Sequence, residues 1–187
     1  MPKIVDHEQY RKELLRKCFD LFAEKGYASI TTRQIAKELG VSTGTLYYYF
    51  PRKEDMFEQL VEEMSQEYLQ IFTNELKDGQ TLSERFETLA NFAVKYEDRL
   101  IKDICMMVDF CQQQGTEAVR NNPALARIRQ RDKQAFADLF GISDLALADF
   151  VMSQLMGLML MRLEGNDIPI FEQVTLLGKM LISYLDQ

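Results

Sequence analysis

Tryptophan is absent from this 187-residue chain, histidine occurs once, and there are only four prolines and three cysteines. So few prolines exclude a proline-rich or collagen-like chain. A zinc site or a histidine-dependent catalytic triad would need unusual substitutes, because His7 has no second imidazole to work with; it reads as a solvated terminal residue. Cys18, Cys105 and Cys111 form no C-x-x-C pair and no even disulfide framework, so buried free thiols are expected. On a helix Cys105 and Cys111 stand about 240° apart around the axis, too far round for a bond within it. Long apolar runs are also missing: the longest, Phe150 to Met161, has twelve residues, interrupted by Ser153 and Gln154. That is short of the roughly 20 residues that cross a bilayer, so no membrane span is expected. The N-terminal stretch, Met1 to His7, turns polar at once and does not read as a secretory signal, which makes the cytoplasm the expected compartment. There is no Walker or dinucleotide glycine motif, no histidine pair and no nucleophile elbow, so neither enzymatic activity nor a cofactor nor a metal is expected.

What the chain does hold is 47% hydrophobic and 27% charged residues, ordinary values for a globular protein. Its length suits one domain, or a small module joined to a larger one. The formal charge of -7 is unevenly spread: residues 1 to 53 carry ten Lys/Arg against six Asp/Glu, a balance of +4, which leaves -11 for the rest. A basic module on an acidic body suits a protein with one end that meets phosphates.

Apolar spacing predicts helices throughout. Leu15, Cys18, Phe19 and Phe22 form one stripe between Asp6 and Lys25, and Gly26 ends it. Thr31 and Thr32 are candidate caps for a short helix with Ile35, Ala36 and Leu39, closed by Gly40. Ser42 is placed to cap a third helix, Thr43 to Phe50, and Pro51 interrupts the pattern. A long fourth helix runs from Lys53 to about Leu76 through Phe57, Leu60, Val61, Met64, Tyr68 and Phe72. Beyond the break at Asp78-Gly79-Gln80, Thr81 to Glu84 opens a helix through Tyr96, and further helices are predicted over Arg99 to Gln114, Pro123 to Phe140, Ser143 to Leu163 and Pro169 to Leu185. The fold class is therefore all-α. The predicted boundary separates a helix-turn-helix module, residues 1 to 52, from a helical body, residues 53 to 187.

The informative segment is Ile30 to Phe50. Small Ala36 lets the second helix approach the third, Gly40 supplies the tight turn, and Val41 and Leu46 anchor the third helix to the core of the first. With these inward, Thr43, Gly44, Thr45, Tyr48 and Tyr49 occupy the outer side and first turn, from which a recognition helix reads base edges. Three consecutive tyrosines cannot all point inward on a helix, whereas Phe50 reads as a core plug.

At this point the chain resembles the TetR family of transcriptional regulators, through Phe22-x-x-x-Gly26-Tyr27, Thr31-Thr32-Arg33-x-Ile35-Ala36, Gly40-Val41-Ser42-x-Gly44-x-Leu46-Tyr47-x-Tyr49-Phe50 and Lys53. The likeness covers about residues 10 to 60. It implies that Arg33 reads a base, since a guanidinium bonds guanine O6 and N7 together. It implies further that Thr43, Gly44 and Thr45 face bases, that Tyr47 and Tyr49 hydrogen-bond phosphates, and that Thr32 and Lys53 hold the backbone. Ser42 and Tyr48 complete the expected DNA face. One departure is Arg52, where the family usually has Ser or Asn capping the fourth helix. The resemblance also implies a regulatory and dimerisation domain holding a ligand cavity, and a homodimer joined through the last two helices. The expected partners are double-stranded operator DNA, a small apolar or aromatic effector and a second copy of the chain.

The body offers softer signals. Apolar and sulfur-bearing side chains at Tyr68, Phe72, Phe86, Cys105, Met106, Phe110, Met152 and Met156 suit an effector lining. Asp103 and Asp109 would select a cation if buried, though exposed carboxylates are the expected state. The helix around Phe150 is apolar nearly all round and the last helix has two apolar faces, so Phe150, Leu158, Leu177, Leu181 and Leu185 are expected at a dimer interface. The alternative function is a helical small-molecule or partner-binding protein that does not recognise an operator.

Overall fold

The computed structural model describes residues 6–186. Residues 1–5, which make up most of the polar N-terminal stretch, lie outside the described residues, as does Gln187. Among the described residues there are ten helices and no strand: α1 (His7–Lys25), α2 (Thr32–Glu38), α3 (Thr43–Tyr49), α4 (Lys53–Glu75), α5 (Leu82–Lys95), α6 (Glu97–Gln114), α7 (Thr116–Arg120), α8 (Pro123–Phe140), α9 (Leu145–Leu163) and α10 (Ile170–Leu185). The all-α expectation holds, with one element unforeseen. The five-residue α7 lies between Gly115 and Asn121, which the pattern marked only as breaks; one turn and a half offers no periodicity to detect.

Helix starts follow local chemistry. Asp6 accepts from the amides of Glu8 and Gln9 to cap α1. Thr31 with Gln34, and Thr81 with Glu84, form reciprocal capping boxes on α2 and α5. At the start of α4, the Asp55 carboxylate accepts from the Arg52 amide at 3.0 Å and also binds the Arg52 side chain. Asp55, at the third helical position, thus satisfies the amide of the cap residue itself, the reciprocal half of a capping box, whereas a Ser or Asn at position 52 would accept from amides inside the first turn.

The chain divides into two compact units, one formed by the chain up to Gln66 with Cys105–Ala126, the other by Glu67–Ile104 with Arg127–Gln187. Helices α4, α6 and α8 each contribute residues to both.

In the first unit Leu15, Cys18, Ile35, Leu46, Phe50, Met56 and Phe57 are fully buried. Phe110 of α6 stacks on Phe57 of α4 with ring centroids 3.9 Å apart, and Tyr27 meets both rings edge-on. Apolar shielding pushes the Cys18 thiol up to about 12. Cys105 departs from the expected burial: it is a free, exposed thiol, because it faces away from the side of α6 that carries Met106 and Phe110.

In the second unit Phe86 and Ala90 of α5 pack with Val174, Leu177 and Leu181 of α10, joined by Phe72, Phe140, Ala148 and Val151. Leu177 and Leu181 were expected at a dimer interface, yet they are 9% and 5% exposed within this single chain. The reason is Gly178: a Cβ there would lie 2.5 Å from Phe86 Cγ, so this face of α10 closes on α5. The other face of α10 is the open one, with Leu176 49%, Met180 59% and Tyr184 61% exposed. Phe150 and Leu185 are also exposed, and Leu158 is half-buried. A groove of about 380 Å³ between α9 and α10 is lined by Phe150, Leu155, Leu158, Met161, Leu176 and Met180.

The expectation that no segment could span a membrane also needs correction. Helix α9 is long and apolar enough to do so by length and composition. The twelve-residue count stopped short because the helix continues to Leu145 and Leu163, with Asp149 and Arg162 as its only charges.

Candidate nucleic-acid interface

Helices α2 and α3 form a tight corner. Gly40 takes a φ of +68°, the left-handed region that only glycine enters freely, and the Val41 amide donates to the Ala36 carbonyl at 3.0 Å. Ser42 Oγ then accepts from the Thr45 amide at 2.9 Å and shares a 2.8 Å hydrogen bond with Thr45 Oγ1. Ser42 and Thr45 therefore hold each other at the start of α3. Ile35, Ala36, Leu46 and Phe50 face the core, which leaves Arg33, Ser42, Thr43, Gly44, Tyr47 and Tyr48 exposed and Thr32, Thr45 and Tyr49 half-buried. Among the described residues Tyr48, at 71%, is the most exposed large hydrophobic side chain. Phe50 is the core plug anticipated above.

Lys53 is drawn inward. Its ammonium donates to the Tyr27 carbonyl and lies 4.1 Å from the centre of the Tyr27 ring, while burial holds its pKa below the usual lysine value. Tyr27 is itself pushed up to about 12 by burial, with the Glu54 carboxylate adding to the effect. Behind this corner, Asp109 accepts from the Ala28 amide at 2.9 Å, Gln114 binds Glu54 at 3.0 Å, and Asn122 binds Glu58 at 2.6 Å. Asp109 was expected as an exposed carboxylate; it instead ties α6 to the loop after α1, across 81 positions of sequence.

His7 is the functional candidate that sequence reasoning set aside. Its Nδ1 lies 2.9 Å from the Tyr49 hydroxyl, and its ring centre 6.1 Å from that of Tyr48. Forty-two positions separate the hydrogen-bonded pair, and nothing in the local pattern joins them.

The residues expected to line an effector site divide between the units. Cys105, Met106 and Phe110 belong to the first, with Phe110 committed to the aromatic stack; Tyr68, Phe72, Phe86, Met152 and Met156 belong to the second. Phe72 and Phe86 are core, Met152 is half-buried and Met156 is 51% exposed. Around Tyr68 a polar group does assemble. The Tyr68 hydroxyl donates to Asp103 Oδ2 at 2.5 Å, Arg99 lies 4.9 Å above the Tyr68 ring, and Arg99 pairs with Glu67 at 2.6 Å. Asp103 is half-buried, with Oδ1 sealed from solvent and without a hydrogen-bond partner. Burial pushes its carboxyl up to about 7 and moves the Tyr68 phenol upward as well.

Residues 14–60 match the family described as bacterial regulatory proteins, tetR family. The nucleoid occlusion factor SlmA of Haemophilus influenzae (strain PittGG) is 38% identical over 79 residues, 40% of this chain and 36% of that protein. The chain thus spans about a third of the length of such curated relatives. A solved structure described as a TetR-family transcriptional regulator, from Mesorhizobium loti MAFF303099, superposes with a TM-score of 0.75 at 17% identity, covering 96% of this chain and 98% of that one. Another, a transcriptional regulator from Saccharomonospora viridis in complex with choline, gives 0.71 at 21% identity, covering 95% and 97%. Residues 14–60 are thus similar to the TetR family of bacterial regulatory proteins, and the chain shares the fold of solved TetR-family regulators.

Proposed function

We propose that the protein is a ligand-responsive, sequence-specific DNA-binding transcriptional regulator that acts as a homodimer and is released from a palindromic operator by a small apolar or aromatic effector. The observation that carries this reading is the α2–α3 corner, whose inward residues are buried while Arg33, Thr43, Gly44, Tyr47 and Tyr48 are exposed. A residue that touches bases must be exposed in the unbound protein, and these are. Lys53 is the exception: as a phosphate ligand it has first to leave the Tyr27 carbonyl.

Dimerisation is supported by the open apolar face of α9 and α10, which a second copy would cover and which also accounts for the membrane-like composition of α9. Effector release is supported by α4 and α6, continuous helices with residues in both compact units. An effector favouring one arrangement of these helices shifts operator affinity by its differential binding, with a tenfold change needing about 1.4 kcal/mol. The choline complex of a protein with the same fold is in keeping with a small-molecule effector here.

Selection of duplexes from a random library by the full-length protein tests the reading. Enrichment of a palindrome is expected, and Arg33→Ala should lose about 1–3 kcal/mol per half-site and relax preference at one base. Recovery of no preferred sequence would leave the chain as a helical ligand- or partner-binding protein.

A further inference from the structure

We infer that His7 is a DNA-backbone contact, donating from Nε2 to a phosphate oxygen while the Tyr49 hydroxyl holds its Nδ1. The inference rests on the regulator reading and adds to it a residue outside the recognition helix.

The geometry gives the imidazole two different sides. Nδ1 meets the Tyr49 hydroxyl at 2.9 Å, and Nε2 has no partner among the described residues. When the phenol donates to Nδ1, the ring proton must sit on Nε2, so the outward nitrogen is a donor. When the ring is protonated, Nδ1–H donates to the phenol oxygen and Nε2–H is a donor still. In both of these states Nε2 offers what a phosphate oxygen accepts; the remaining neutral tautomer, with its proton on Nδ1, leaves Nε2 an acceptor, and a phosphate at that nitrogen selects against it. Tyr49 itself is only half-buried, but its hydroxyl is engaged by His7, so the donor on this part of the surface passes from the phenol to the imidazole.

The surroundings favour that role. His7 stands within ring-contact distance of Tyr48 and Tyr49 on α3, and Tyr10 packs on Tyr49 at 5.6 Å, which fixes the ring beside the exposed face of the recognition helix. The nearby acids are already occupied. Asp6 Oδ1 accepts from the amides of Glu8 and Gln9, and Glu8 is paired with Arg11 at 2.6 Å. Arg11 offsets the charge of Glu8, and the amides at the start of α1 offset part of that of Asp6.

Because the chain has one histidine, its imidazole resonances are unambiguous in a nitrogen-15 spectrum of the full-length protein. Addition of a random-sequence duplex, with binding followed by anisotropy in the same sample, should shift the Nε2 resonance and slow exchange of its proton. His7→Ala and His7→Phe should each weaken random and preferred duplexes alike, by about three- to tenfold. The phenylalanine variant keeps a ring against Tyr48 and Tyr49 but has no nitrogen, so it separates hydrogen bonding from packing. Bound duplex with an unmoved imidazole spectrum, or wild-type affinity in His7→Phe, overturns this inference and leaves the regulator reading intact. Failure of the wild-type protein to bind any duplex overturns both.

Discussion

Among the glycines, Gly178 has the least room for a side chain. An added Cβ would fall 2.5 Å from Cγ and 2.7 Å from Cβ of Phe86. The Phe86 Cβ is fixed to its own helix backbone and cannot swing aside, so α5 and α10 would have to move apart. Gly178→Ala is expected to destabilise the protein by roughly 1–3 kcal/mol, the usual range for overpacking, and to lower Tm by about 2–4 °C for each kcal/mol. Thermal unfolding would measure it, and an unchanged Tm would mean that the helices are not in such close contact. Glycine has the opposite use at Gly40, where a positive φ rather than missing volume is required, so alanine there is opposed by backbone strain with nothing within 4 Å of the new methyl.

Between elements, the contact with most chemical content joins α4 and α6 through Tyr68 and Asp103. A carboxyl with a pKa of about 7 in the folded chain and an ordinary value when unfolded binds its proton more tightly in the native state. Its stabilising contribution is therefore complete below the unfolded value of about 4 and is lost as pH rises through about 7. Urea unfolding of the wild type is expected to show stability falling with a slope of up to about 1.4 kcal/mol per pH unit from this group across that interval. Asp103→Asn, which cannot ionise, should remove this component; equal pH dependence in the two proteins would place the ionised carboxylate in a well-solvated site instead.

For the whole molecule, the two faces of α10 have different fates. Leu181 lies in the chain's own core, so Leu181→Glu is expected to unfold the protein, whereas Met180 is 59% exposed and Met180→Glu should leave the fold intact. If a second copy covers this face, light scattering will find the wild type as a dimer and Met180→Glu as a 21.8 kDa monomer. A monomeric wild type at micromolar concentration would refute the dimer. A dimeric Met180→Glu would shift its interface to another surface.

Apart from the short α7, helix order, the caps at Thr31, Ser42 and Thr81, and the inward set Ile35, Ala36, Leu46 and Phe50 were legible in the sequence. These features depend on interactions within a few residues, where side-chain type and spacing decide the outcome. The exposed positions of the α2–α3 corner follow from the same periodicity. What the tertiary structure alone decided are pairings across long stretches of chain. Two apolar stripes on α10 were visible, but only the fit of Phe86 against Gly178 determined which one turns inward. Lys53 carried a full charge in the sequence and no hint that the Tyr27 carbonyl and ring would hold it. His7 and Tyr49, and Ala28 and Asp109, are joined by hydrogen bonds that span 42 and 81 positions. Local sequence sets which faces seek burial and which groups seek partners, whereas the folded packing determines which of several equivalent faces and partners meet.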